Sequence, residues 1–238
     1  MQVRGGKAVY GASVGILMLE ARFPRIPGDM GNAATWPFPV HYHVVRDASP
    51  DRVVRQQASG LLPAFLEAAK RLEADGVDGI TTNCGFLALF QAELAAAVSV
   101  PVLASSLAQV GAVNGLLPEG RRAGILTISA SSLTPAHLAA AGVPDFTPIG
   151  TTEGGSFTEA ILGDAETLDI AAAEAEHVDA ARDLATAHPD LGALVLECTN
   201  MTPYAPAIRA ATGLPVFAMP GFVEWFQRAL VPRRYPRP

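Results

Sequence analysis

Strand-like and helix-like segments alternate along nearly the whole chain, and the alternation starts afresh near residue 116. Such a pattern leaves few options, because strands separated by helices join as parallel neighbours with helices on the sheet faces. In the first half, strands are predicted over about 13–19, 40–45, 77–82 and 102–105. Ser49-Pro50-Asp51 reads as the start of a helix that keeps helical spacing from Val53 to Leu72 and stops at Gly76; further helices follow over 86–98 and 107–117. The second half repeats the theme, with strands near 124–129, 146–149, 193–198 and 216–219. Its helices fall at 131–142, 165–188 and 203–211, residues 151–156 read as a loop, and a short helix ends the chain. The expectation is an α/β protein of two pseudo-symmetric, flavodoxin-like lobes with parallel sheets. The lobes are residues 1–115 and 116–214, with 215–238 crossing back to complete the first. No flexible linker separates them, so a pre-formed cleft between the lobes is the expected ligand site.

Composition removes several classes of function. With 238 residues at 50% hydrophobic the chain can bury a full core, and a net charge of −6 is no footprint for nucleic acid. The apolar run from Ala8 to Leu19 is too short to span a bilayer and ends in Glu20-Ala21-Arg22 rather than a small-residue cleavage site. A cytoplasmic protein with reduced thiols and no membrane partner is expected. Lysine occurs only at 7 and 70, in a Gly-rich segment and on the polar side of a helix, so Schiff-base catalysis has no good candidate. Neither G-x-G-x-x-G nor a Walker A run is present, and His41 and His43 lack a third ligand at metal spacing. No cofactor and no metal are expected.

Cysteine occurs twice, in Thr82-Asn83-Cys84-Gly85-Phe86 and Glu197-Cys198-Thr199-Asn200-Met201. Each follows a predicted strand and precedes a predicted helix, the junction at which parallel sheets bind ligands. Two buried space-fillers, or a disulfide, are the plainer readings. The chemical reading is a pair of thiols facing each other across the cleft, each with its pKa lowered by a helix N-terminus. The backbone N–H groups of Gly85, Phe86, Thr199 and Asn200 would then hold a carboxylate and steady the charge left when its α-proton departs. Gly28 to Thr35 reads either as a surface loop or as a cleft wall in which Asp29 and Asn32 orient substrate and Arg25 supplies charge. Ser129, Ser131 and Ser132 include a helix cap, with Ser131 a candidate substrate ligand. Glu197 either tunes Cys198 or points away from the cleft.

These residues resemble the aspartate/glutamate racemase superfamily, which also holds hydantoin racemases, maleate cis–trans isomerases and arylmalonate decarboxylases. Leu196-Glu197-Cys198-Thr199-Asn200 is similar to the second cysteine motif, L-G-C-T-[HE], and Thr82-Asn83-Cys84-Gly85 is similar in position to the first, C-N-T. Gly28 to Thr35 resembles the G-G-M-G-P-x-A-T run of aspartate racemases, and the strand order matches along nearly the whole chain. The resemblance implies two lobes, no cofactor, a dimer or higher homo-oligomer, and one catalytic Cys from each lobe: Cys84 and Cys198. It further implies that Asn83, Gly85, Phe86, Thr199, Asn200 and Ser131 line or bind the substrate. Gly85-Phe86 stands where the family has Asn-Thr, Glu197 where Gly is usual, and Asn200 where His or Glu is expected. A bulkier or less charged acid, or a hydantoin-like ring, is then as plausible a substrate as aspartate or glutamate.

The function read from the chain is racemisation or epimerisation of an α-substituted carboxylic acid, one thiolate taking the proton and the opposite thiol returning one. A maleate-type isomerase with a nucleophilic Cys is the closest rival. A decarboxylase is disfavoured because those relatives keep only the second Cys. A two-lobed binding or sensory module, which would tolerate loss of both cysteines, is the alternative of another class.

Overall fold

The computed structural model describes residues 2 and 5–236. The outermost residues of the predicted lobes, 1, 3, 4, 237 and 238, lie outside the described residues. Eight strands among them form two separate parallel sheets of four. The first holds β1 (Val14–Leu19), β2 (Val40–Val45), β3 (Gly79–Thr82) and β4 (Val102–Leu103), in the order β2-β1-β3-β4. The second holds β5 (Arg122–Thr127), β6 (Ile149–Thr151), β7 (Leu191–Leu196) and β8 (Val216–Phe217), in the matching order β6-β5-β7-β8.

The central strands are apolar on both faces because helices cover both. Every residue of β1 is buried, as is every residue of β3. Each sheet changes winding direction between its first and third strands, and the crevice beyond their carboxyl ends is where parallel sheets take ligands. β3 leads into Cys84 and β7 into Cys198, so the topology delivers one thiol per lobe to that crevice.

Several elements differ from the sequence expectation. The helix predicted from Ser49 to Gly76 is two helices, Pro50–Val54 and Leu62–Asp75. Gln57 and Ala58 turn the chain between them at φ 53° and 52°, and Pro63 sits in the first turn of the second helix, where its missing N–H is harmless. Residues beyond the predicted loop 151–156 form the helix Ser156–Leu162. The long Ala-rich helix starts later than expected, at Ile170, where the Asp169 carboxylate caps it. The segments after both cysteines begin as 3-10 turns, Gly85–Phe90 and Thr199–Tyr204, before α-helix takes over. The return to the first lobe begins at Met219 rather than at 215, because Val216 and Phe217 pair with β7 in the second sheet. Helix Met219–Leu230 then lays Met219, Val223 and Phe226 against Val14, Ile16 and Leu103 of the first sheet.

Candidate active site

Cys84 and Cys198 are both free, both under 10% exposed, and both line one narrow cavity of about 20 Å³ between the lobes, which must widen to admit a substrate. Each stands two residues beyond the end of its strand. The loops that carry them are tied to each other: the Thr199 hydroxyl donates to the Asn83 carbonyl at 2.7 Å, and the Ser106 hydroxyl donates across the lobes to the Leu196 carbonyl at 2.6 Å. Asn83 also fastens its own sheet, accepting from the Leu19 N–H at 2.8 Å.

The thiols do not have the lowered pKa values that the helix N-termini promised. Burial, and then the Glu197 carboxylate, push Cys84 up to about 12 against opposing hydrogen bonds from the Phe86 and Leu87 N–H groups. Burial, Glu197, Cys84 and Asp29 all raise Cys198 well above its ordinary value, with the Asn200 N–H acting against them. A few backbone donors at a short 3-10 turn do not offset the removal of two thiolates from water. Both sulfurs are therefore protonated near neutral pH, although Arg25 acts in favour of the Cys84 thiolate.

Glu197 does not point away from the cleft. It is fully buried in the cavity wall, its Oε2 accepts from the Thr127 hydroxyl at 2.7 Å, and its Oε1 has no hydrogen-bond partner. Burial raises this carboxyl to about 7. Its side chain lies over Gly85, which leaves room for it.

Asp29 is buried but stands outside the cavity wall and acts on it through Asn200. Arg25 Nη1 donates to Asp29 Oδ1 at 2.9 Å, the Asn200 side-chain N–H donates to Asp29 Oδ2, and Cys198 Sγ donates to Asn200 Oδ1 at 3.4 Å. An Arg–Asp–Asn chain thus fixes the amide beside the second thiol. Asn32 is engaged elsewhere: it caps the turn Ala33–Thr35 and donates to the Arg25 carbonyl.

Of the residues singled out from sequence, Asn83, Cys84, Phe86, Cys198 and Asn200 line the cavity. Gly85 lies beneath Glu197, and Thr199 is occupied by its bond to Asn83. Ser131 is exposed and bound to the Glu153 carboxylate, off the cavity. Trp36 and Phe38, which follow the Gly28 to Thr35 loop, pack in the separate cluster under helix Met219–Leu230. Sequence reasoning missed the apolar walls: Leu19, Phe23, Pro50 and Val54 from the first lobe, Ile128, Ile161 and Leu162 from the second. Phe23 and Ile161 are brought together by a clasp. The Arg22 and Phe23 N–H groups both donate to Asp164 Oδ1, at 2.5 and 3.2 Å, and Arg22 pairs with Glu166 at 2.8 Å. Asp164 holds a left-handed φ of 54° just after the helix that carries Ile161 and Leu162.

Among the described residues no cluster of three or more His, Cys, Asp or Glu side chains is arranged to hold a metal, and no helix is long and apolar enough to cross a membrane.

Two parallel-sheet lobes that present one cysteine each to a shared, buried cavity define the racemase-fold class of enzyme. A family profile described as Asp/Glu/Hydantoin racemase matches residues 41–220, and the chain belongs to that family. It is 30% identical over 229 residues to a protein of Durusdinium sp. clade D named dimethylsulfoniopropionate lyase, covering 92% of this chain and 75% of that one. It is 32% identical over 220 residues to dimethylsulfoniopropionate lyase 3 of Emiliania huxleyi (strain CCMP1516), covering 86% of this chain and 56% of that one. The chain thus spans three quarters of the first relative and little more than half of the second. Among solved structures, arylmalonate decarboxylase superposes with a TM-score of 0.57 at 16% identity, over 94% of this chain and 95% of that one. A glutamate racemase of Bacillus anthracis superposes with a TM-score of 0.60 at 15% identity, over 92% and 82%. At such identities these two likenesses speak for the fold alone.

Proposed function

We propose that this enzyme is a lyase that removes the proton α to a carboxylate and expels a neutral group from the β-carbon, with dimethylsulfoniopropionate as substrate. The observation that carries the reading is the cavity itself: two thiols at strand ends, enclosed by apolar walls, with no lysine or arginine lining it. Carbanion chemistry needs a base beside the α-carbon and donors beside the carboxylate. Cys84 or Cys198 supplies the base, and the N–H groups that open the turns at Gly85 and Thr199 supply the donors. The walls suit S-methyl groups better than a second carboxylate, which would face Glu197, or a primary ammonium, most of whose N–H groups would go unmet there. The names of the relatives at 30% and 32% identity support the same substrate.

In this reading the thiolate takes one α-proton, the electron pair forms the Cα=Cβ double bond, and the Cβ–S bond breaks toward sulfur. Dimethyl sulfide leaves with that electron pair, acrylate remains, and the proton stays on the cysteine until solvent removes it. Burial and Glu197 oppose both thiolates, and we assign the base to Cys84, whose sulfur has the Phe86 and Leu87 N–H groups and Arg25 acting in its favour.

The deciding experiment is headspace detection of dimethyl sulfide from the purified protein and dimethylsulfoniopropionate, for wild type, Cys84→Ser and Cys198→Ser. Release by wild type and loss in Cys84→Ser is expected, and no release by wild type removes the reading. The second reading, two-base racemisation of an α-substituted acid, is favoured by the presence of both thiols. It is tested on a panel of amino acids and hydantoins by α-proton exchange in D₂O.

A further inference from the structure

Among the polar groups of the cavity wall, one acceptor stands without a partner. The Asn83 side-chain oxygen is held by Leu19, and the Asn200 amide is held between Cys198 and Asp29. Glu197 Oε1 alone has none, although its residue is fully buried and its other oxygen is fixed by Thr127. A buried carboxylate left half-satisfied is costly and persists where something else completes it. No cation among the described residues does so: Arg25 is engaged by Asp29 and lies off the cavity wall. What fits is a positive charge that brings no hydrogen-bond donors, because the surrounding wall (Phe23, Phe86, Ile128, Ile161) offers no further acceptors.

We propose that Glu197 is a specificity-determining residue whose Oε1 is the counter-charge for an onium group on the substrate, a sulfonium or quaternary ammonium. This assignment rests on the lyase reading for the carboxylate and its α-carbon, and it names the feature of the substrate that the cavity selects. The same charge has a second effect. Burial is the main reason both cysteines stay protonated and Glu197 the next; an onium group between Glu197 and the thiols offsets that second contribution, so the cationic substrate favours ionisation of its own base. A neutral substrate of the same shape leaves the thiols as they are.

The groups facing Glu197 are few. The Thr127 hydroxyl and the Ile128 N–H approach from the end of β5, Cys198 from its own loop and Cys84 from the first lobe. The Arg25–Asp29 pair stands behind Asn200, and His137 stands behind Phe86 with ring centres 5.1 Å apart, where burial holds its pKa down to about 4. Glu197 is the group among them that titrates near neutrality, so onium affinity should rise with pH through about 7.

The test compares 3-(trimethylammonio)propanoate, a permanent cation with a poor leaving group, with 4,4-dimethylpentanoate, its uncharged isostere with the same carboxylate. Calorimetry on the full chain at pH 6 and pH 8 should show wild type preferring the cation at least about tenfold at pH 8, and less at pH 6. Glu197→Gln should bind the neutral probe as wild type does and lose the preference at both pH values. A wild type without preference, binding of neither probe, or a Gln variant that keeps the ratio overturns the proposal. Should that variant fail to fold, the pH dependence in wild type decides alone: a ratio that does not move between pH 6 and 8 removes Glu197 from the role. Dimethyl sulfide release is scored separately. Preference without release sinks the lyase reading and leaves the charge selection, while release without preference does the reverse.

Discussion

Glu197 occupies the space that any side chain at position 85 would need. A β-carbon on Gly85 would stand 2.5 Å from the Glu197 carbonyl oxygen and 2.9 Å from its Cδ, with Oε1 closer still. The two departures from the racemase motifs, Gly after the first cysteine and Glu before the second, are therefore one feature built from both lobes.

That packing makes Gly85→Ala destabilising by about 1–3 kcal/mol, the usual cost of forcing a methyl into a filled site. Glu197→Ala removes Oε1 but not the carbonyl oxygen, so the double variant should recover part of the loss. Urea unfolding of the four proteins in this cycle measures the coupling. Strictly additive effects would mean that the two positions do not meet.

Cys84→Ser should abolish both deuterium exchange at the substrate α-carbon and release of dimethyl sulfide, a fall of at least about 100-fold. Cys198→Ser should retain more exchange, because Cys84 keeps the Phe86 and Leu87 N–H donors that favour its thiolate. Proton NMR in D₂O separates the two, and the opposite ranking would assign the base to Cys198.

Glu197 also sets a pH dependence of stability. Its carboxyl is raised from 4.5 to about 7 on folding, so the folded state holds its proton more tightly than the unfolded state does. Stability from this group is intact below about 4.5 and is withdrawn as pH climbs through 7, by roughly 3 kcal/mol at most. Glu197→Gln should gain on wild type between pH 5 and 8 in chemical melts. A constant difference across that range would mean that the carboxyl titrates normally.

The clasp at Asp164 should govern access to the thiols. With both sulfurs buried, alkylation by iodoacetamide requires the lobes to part near Phe23 and Ile161. Asp164→Ala removes three polar contacts from Arg22 and Phe23 and should speed labelling of Cys84 and Cys198 several-fold without a large fall in melting temperature. Labelling at the wild-type rate would show that substrate enters elsewhere.

Much of this was legible in the chain. Apolar runs feeding into Cys84 and Cys198 placed both thiols at strand ends, because a parallel strand buried on both faces leaves a strong, local signal. Where each polar side chain goes was far less legible. Asp29 and Asn32 sit three residues apart in one loop, yet one buttresses Asn200 and the other caps a turn, a distinction set by tertiary hydrogen bonds. The cavity walls left no trace, since Ile161, Leu162 and Val54 look like any core residues. The thiol pKa values were misjudged because local N–H donors can be counted in a sequence, whereas desolvation and the approach of Glu197 cannot.

Helix Met219–Leu230 carries a consequence for how the molecule is assembled. Val14 and Ile16, near the start of the chain, wait for Val223 and Phe226, some two hundred residues later, to cover them. The lobe that is synthesised first is thus the last to close, held open by contacts of very high sequence separation, which are slow to form. During synthesis the second lobe has every partner it needs sooner, while Val14 and Ile16 stay uncovered until helix Met219–Leu230 packs across the first sheet.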